Sequence, residues 1–400
     1  MRILFLSSWA LAPISNGSTL RLHYLLSELA SHHAVSLAAC VFGPAAKAPA
    51  EAASLSLERY WPIRLDPHDV SAMGRPALHL GLAPGYARLR PEATEVVRRA
   101  LAAGLYDLLV ASAAPMAGYV LLAPANLPRV LEEHNSMARI SLERRQAARR
   151  PAQRLRTWLS WRKQVAYDRR LLPQFDRITM VSEQDRSLTQ KILAPFQVPV
   201  DVIPNGVDCA YNAFTLGPRR PGSLVFNGSL TYAANYAAMR FFVELVMPLI
   251  GRGHPDACLT ITGDHAGVDL SPFSSRRNIS LAGHVADVRP HVAEASACVV
   301  PITEGGGSRL KVLEALALGT PVVSTAKGVE GHALRDGEHY LRAETPAEFA
   351  AAVGRLWSDP ALARRLSLCG REVVERECDW RFIAPKFRQL CEDVADARRA

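Results

Sequence analysis

Short apolar runs closed by small or polar residues alternate with stretches of helical periodicity along this chain, and the series begins afresh near its middle. RILFLS reads as a strand, ALAPISNGS as a loop, TLRLHYLLSELASH as a helix and AVSLAACV as a second strand. YDLLVASA, PRVLEEHN and FDRITMVS continue the strands, and VPVDVIPNGVD closes the first half with a strand and a Pro-Asn-Gly turn. After CAYNAFTLGPRRPG the order returns. SLVFNGS, ACLTITGD, ISLAGH, ACVVPI and TPVVST are strands, with YAANYAAMRFFVELVMPLI and SRLKVLEALALG as helices among them. Units of this kind build parallel sheets covered by helices on both faces. The pattern predicts an α/β protein of two doubly wound domains, residues 1–205 and 206–379, with residues 380–400 as a helix packing back on the first. A length of 400 residues suits two domains of ordinary size.

In doubly wound sheets, ligands bind beyond the carboxyl ends of the strands. The loops there include Asn16-Gly17, His134, Gly228, Gly263 and Gly283 with His284 and Val285. The most informative is TEGGGSRLKVLEALALGTPVV, Thr303 to Val323. Glu304, Gly305, Gly306, Gly307 and Ser308 lead into a helix whose first turn holds Arg309 and Lys311. Bare backbone N–H groups, a helix N-terminus and two cations together suit a phosphate or diphosphate. The cations oppose the helix dipole by about 0.3–1 kcal/mol each, a local cost that an anion offsets. Glu314 among these basic groups suits the hydroxyls of a ligand, while a solvated outer face is its plain alternative. Asn235, near a helix start, reads as a cap or turn residue, and turn chemistry accounts for Asn16-Gly17 as well.

A composition of 49% hydrophobic and 21% charged residues is that of a globular protein. No apolar segment reads as the roughly 18 residues that cross a bilayer, and MRILFLSSWA breaks at Ser7-Ser8, unlike a signal peptide. Seven cysteines lack CxxC or Cys/His metal spacing, so reduced thiols in a cytoplasmic protein are expected, with no metal. The net charge of +9 is concentrated. Arg139 to Arg170 hold eleven Lys/Arg and two Asp/Glu, which leaves 36 of each sign elsewhere. Tryptophans stand among these basic residues. A solvated helix face and a helix lying at an anionic membrane surface both fit, the latter placing the protein peripherally at the inner face of the cell membrane. No nucleic-acid motif accompanies the charge, and nucleic acid is not an expected partner.

EEHN after a strand, FDRITMVSEQDR, VIPNGVD, FNGSLTYAANYAAMRFF, LTITGD, ISLAGHVADVRP and GGGSRLKVLEALALGTPVVST occur in this order. Together they resemble glycosyltransferase family 4, from about Arg2 to Trp380, in a branch associated with surface polysaccharides. The resemblance implies the GT-B architecture, two Rossmann-like domains facing across a cleft. It also implies retaining transfer from a nucleoside diphosphate sugar to a glycan or glycolipid acceptor, with no cofactor and no metal. It assigns the acceptor loop to Asn16 and Gly17, and a donor-sugar contact to His134, which alone reads as structural. Gly228, Gly263 and Gly283 end strands and read mostly as backbone punctuation; as donor contacts, Gly283 to Val285 would meet the nucleobase edge, with Gly228 and the loop Glu304 to Ser308 also on the donor. Arg309 and Lys311 would stabilise the departing diphosphate, and Glu314 would bind the ribose. The family has a glutamate eight positions before Glu314, where this chain has Gly306; Glu304 would reach the donor sugar from a reshaped loop. A nucleotide-sugar epimerase of the same architecture and a non-catalytic sugar-nucleotide-binding subunit are the alternatives.

Overall fold

Every strand pairing among the described residues is parallel, and the strands form two sheets. The computed structural model describes residues 1–14, 16–43, 55–69, 84–274, 276–305 and 309–398. It divides into one unit of Met1–Pro204 with Ile383–Ala400, and a second of Asn205–Phe382.

The first unit's strands are β1 (Arg2–Ser7), β2 (Ala34–Cys40), β3 (Arg59–Ile63), β4 (Leu108–Ser112), β5 (Arg129–Glu132), β6 (Arg177–Met180) and β7 (Val200–Val202). Their order is β3-β2-β1-β4-β5-β6-β7. β1 lies between strands wound in opposite directions, so the sheet reverses between β1 and β4, where an open crevice forms at the carboxyl ends. Ile3 to Leu6 and Leu108 to Ala111 are fully buried, because helices cover both faces. Helix α1 (Gly17–His32) starts with a capping box. Asn16 accepts from the Ser18 and Thr19 N–H groups, and Thr19 closes the box on the Asn16 backbone. Asn16 thus has a structural use at this end of the sheet. The C-terminal helix Trp380–Ala397 ties to α1 through Arg388 Nε to Glu28 (2.9 Å) and His33 Nε2 to Glu392 (2.9 Å).

The second unit orders its strands β10-β9-β8-β11-β12-β13. They are β8 (Arg220–Asn227), β9 (Cys258–Thr262), β10 (Ile279–Gly283), β11 (Ala295–Val300), β12 (Val322–Ser324) and β13 (Leu341–Arg342). Here the reversal lies between β8 and β11. The helix from Ala233 runs to Gly253 through a π turn at Phe242–Val246. Pro248 lacks an N–H and its ring crowds the carbonyl four residues back, which widens the preceding turn. By length and composition this helix could cross a bilayer, contrary to the expectation that no segment could. Its apolar face is core: Met239, Phe242, Val243 and Val246 are fully buried among the sheet residues.

Two strands were not expected from the sequence. β3 (RYWPI) contains Pro62, which breaks strand periodicity but is tolerated because β3 is the edge of its sheet. β13 has only two residues and exists through its pairing with β12. All seven cysteines are free.

Candidate active site

In the second unit, the strand ends beside the reversal assemble from residues far apart in sequence. Gly263 follows β9 with φ +101°, donates its N–H to the Gly283 carbonyl (2.7 Å) and lies so close that a Cβ would sit 2.5 Å from the Ser229 nitrogen. Gly283, Gly263 and Gly228 therefore form one glycine-lined rim along three adjacent strand ends. A Cβ on Gly228 would fall 2.4 Å from Lys311 Nζ and 3.0 Å from Asn235 Nδ2. Glycine stands at 228 because an amine occupies the space a side chain would fill. Gly228→Ala should fold, since a flexible lysine tip can yield, yet lose most activity; equal kcat in the variant and parent would remove Lys311 from the site.

Lys311 lies in the first turn of the helix Leu310–Ala317, with Arg309 at its N-cap position. Both are more than nine-tenths buried rather than solvated. Lys311 Nζ donates to Asn235 Oδ1 (3.0 Å) and sits 3.7 Å from the centre of the Phe226 ring. Burial pulls its ammonium down to about 7; Cys298 and Glu314 oppose this and Arg309 assists it. Arg309 Nη2 donates to the Gly305 (2.7 Å) and Glu304 (3.2 Å) carbonyls and so braces the loop before the triple glycine. Glu314, half-buried, accepts from Asn227 Nδ2 (2.7 Å). Burial raises its carboxyl, with Lys311 and Asn227 opposing. Gly305 is described, with φ +97°; Gly306, Gly307 and Ser308 lie outside the described residues. Glu304 and His284 are exposed and Val285 half-buried.

Asn235 is a correction. It lies inside the helix Ala233–Phe241 and is no cap: its Oδ1 holds Lys311 while its Nδ2 donates to the Ser229 carbonyl (2.7 Å). Sequence reading also missed His332, whose Nε2 is buried without a hydrogen-bond partner among the described residues. Burial, and then Arg309, lower it to about 4, so it is a neutral imidazole at physiological pH.

The first unit carries a second polar cluster, at the ends of β4 and β5. Glu132, fully buried, forms an ion pair with Arg21 and accepts from Ser112 Oγ (2.7 Å) and His134 Nε2 (3.0 Å). Burial alone would raise its carboxyl, but Arg21 and His134 hold it well below the usual range. A carboxylate facing Nε2 places a proton there, which in neutral imidazole leaves a lone pair on Nδ1. Nδ1 is buried and has no partner among the described residues. Ala113, beside this cluster, has φ +68°, a region that disfavours side chains and recurs near functional sites. The Arg21–Glu132–Ser112 support of His134 was not anticipated; residues 111 apart in sequence give no local signal.

Below His134, Glu133 and Asp168 share a small internal cavity with Tyr86, Gln164 and Tyr167. Burial raises Asp168 to about 7, although Gln164 Nε2 donates to it (2.8 Å). Burial and the charges of Asp168 and Glu132 push Glu133 well up too. Asp168's folded pKa lies above its unfolded value of about 3.9, so its protonated form stabilises at low pH and that contribution disappears as pH rises through about 7. Stability should fall by about 2–3 kcal/mol between roughly pH 5 and pH 8, and Asp168→Asn should flatten the decline. An unchanged slope in denaturant titrations of the variant would show that Asp168 does not carry it.

Two sequence families align with this chain in tandem. Glycosyltransferase Family 4 matches residues 15–211, and Glycosyl transferases group 1 matches residues 221–359. The chain belongs to glycosyltransferase family 4. A glycogen synthase of Mycobacterium tuberculosis is 27% identical over 415 residues, covering 98% of this chain and 94% of that protein. A phosphatidyl-myo-inositol mannosyltransferase of Mycobacterium leprae is 29% identical over 210 residues, 48% of this chain and 53% of its own. Among solved structures, sucrose-phosphate synthase from Thermosynechococcus elongatus superposes with TM-score 0.72 at 20% identity, covering 99% of both chains. Anabaena HepE in complex with UDP and glucose gives 0.68 at 15%, covering 98% of this chain and 100% of the other. The fold of this glycosyltransferase is GT-B, as expected from the sequence.

Proposed function

We propose that this family 4 glycosyltransferase is a retaining enzyme that moves a sugar from a nucleoside diphosphate sugar to a glycan or lipid-linked acceptor, in surface-polysaccharide synthesis on the cytoplasmic side of an anionic membrane. The observation that carries the donor assignment is the Lys311 amine. It is buried on Phe226 and Asn235 at the strand reversal, with Glu314 one turn further along the helix. A diphosphate oxygen gains negative charge as the bond to the sugar's anomeric carbon breaks, and a buried ammonium beside it stabilises that charge. Arg309, and the loop amides that it braces, would complete the anion site. The acceptor hydroxyl would form the new bond on the same face of the sugar, its proton passing to the departing diphosphate oxygen. Lys311 and Arg309 supply the positive charge, so this reading uses no metal ion. His134 Nδ1 would meet the donor sugar, and the loop at Asn16-Gly17 the acceptor. Complexes of Anabaena HepE with UDP and glucose support a nucleotide-sugar donor.

Calorimetry against a panel of nucleoside diphosphates, followed by acceptor-dependent release of the diphosphate, tests the reading. Glu314→Gln should weaken a ribonucleotide more than its deoxyribose analogue, since charge-assisted hydrogen bonds are about twice as strong as neutral ones. Equal losses for both would take Glu314 off the ribose. An anomeric product with inverted configuration would refute retention.

A further inference from the structure

We infer that the groove between the helices Met137–Ala147 and Pro151–Leu171 is the seat by which the first unit grips an anionic phospholipid bilayer. This rests on the membrane-side reading above and specifies its surface. The groove has a volume of about 590 Å³ and is lined by Leu142, Arg145, Arg154, Leu155 and Trp158. Along residues 151–160 every position but Thr157 is exposed, so the start of the longer helix stands clear of its own unit's core. Leu155, Trp158 and Leu159 are 60%, 38% and 51% exposed. Their spacing of three and four puts them on one helical stripe.

The charges beside the stripe are of one sign. Both acids of the segment are occupied: Glu143 pairs with Arg139 at 3.2 Å, and Asp168 is buried. Elsewhere some exposed arginines pair with glutamates one turn away, as Arg99 with Glu95 and Arg240 with Glu244, while others, such as Arg98 and Arg364, make no ion pair among the described residues. Arg144, Arg149, Arg150, Arg154 and Arg156 make no ion pair among the described residues, and all are exposed. Arg145 lies 5.0 Å from the Trp161 ring and Arg162 5.6 Å from Trp158, which keeps guanidinium and indole groups side by side.

Guanidinium groups flanking an apolar stripe match a bilayer's phosphates over its acyl boundary, with tryptophan at the level between them. A nucleic acid would satisfy the arginines but leave Leu155 and Leu159 without a partner. A second copy of the chain would bring two such surfaces of like charge together. The bilayer fits both the charge and the stripe.

The test uses the full chain with vesicles of phosphatidylcholine alone and of phosphatidylcholine with phosphatidylglycerol. Co-sedimentation should favour the anionic vesicles at least tenfold at low salt and lose that preference in about 1 M salt, where the Debye length is about 3 Å. Arg154→Gln with Arg156→Gln, and separately Leu155→Ser with Leu159→Ser, should each lower binding severalfold while far-UV circular dichroism stays unchanged. Equal binding to both vesicle types, no binding, or retention by either double variant overturns the inference. So does concentration-dependent dimerisation abolished by the leucine pair without vesicle binding. Calorimetry with UDP and GDP on the same samples separates this from the donor reading: lipid binding without nucleotide binding would refute only the latter.

Discussion

Replacing Lys311 by alanine should lower turnover by about 30- to 900-fold, or about 2–4 kcal/mol of barrier, while the folded state loses nothing and gains some stability. The two halves of that result have one cause. Folding holds this ammonium in a place that favours its neutral form, pulling it from 10.5 to about 7, so the fold bears a desolvation cost that a bound anion would offset. Removing the amine relieves the cost and removes the benefit together. A lysine serving only as packing would behave oppositely, with its loss lowering the melting temperature and leaving kcat near the parent's. The same residue sets a pH dependence. Below about 7 the free site is already charged, so affinity for a nucleoside diphosphate sugar, whose diphosphate has no group titrating near neutrality, should be flat. Above it, binding must take up a proton, and affinity should fall by up to about tenfold per pH unit. Calorimetry in buffers of different ionisation enthalpy would show the uptake directly. Affinity that is flat to about pH 9 would place the lysine away from the phosphates.

The cluster at the start of the helix Leu310–Ala317 was legible because its residues are local. Lys311 and Glu314 are three apart, so any helix that aims one at a ligand aims the other nearby, and the glycines before them announce a backbone approached closely. What the sequence could not disclose were the partners that tune those residues. Asn227 and Asn235 reach Glu314 and Lys311 across separations of 87 and 76 residues, which only the sheet order closes. Asn235 looked like a cap because asparagine near a helix start is one; tertiary need for an acceptor beside a buried amine took precedence. Arg309 was legible as a cation but not as the brace of its own loop, since hydrogen bonds to the Glu304 and Gly305 carbonyls leave no mark in residue type. The basic segment showed its charge in the sequence. That its acids are occupied while a leucine–tryptophan stripe stays exposed needed coordinates.

Arg21→Met should destabilise the first unit by about 3–5 kcal/mol, the usual loss when one partner of a buried ion pair is removed. The charge left behind is Glu132, fully buried, with Ser112 and His134 as its remaining donors. Its depressed pKa gives the sign of the pH effect. The native pair contributes fully above the unfolded value of about 4.3 and loses its contribution as pH falls through the folded value. In the variant, burial is no longer opposed by Arg21, so Glu132 should take up a proton more readily and the acid-side loss of stability should shrink. Arg21→Met combined with Glu132→Gln should recover much of the stability near neutral pH, because no unpaired charge remains. Activity should not recover with it. The carboxylate that fixes a proton on His134 Nε2, and so presents a lone pair at Nδ1, would be gone. Hydrogen exchange over β1, β4 and β5, read by mass spectrometry, follows the stability of this unit, and kcat on the same samples follows His134. Recovery of both would make the ion pair a packing element alone. Recovery of neither would mean that the Pro204 carbonyl, which Arg21 Nη1 also holds at 3.0 Å, is what the arginine is there to anchor.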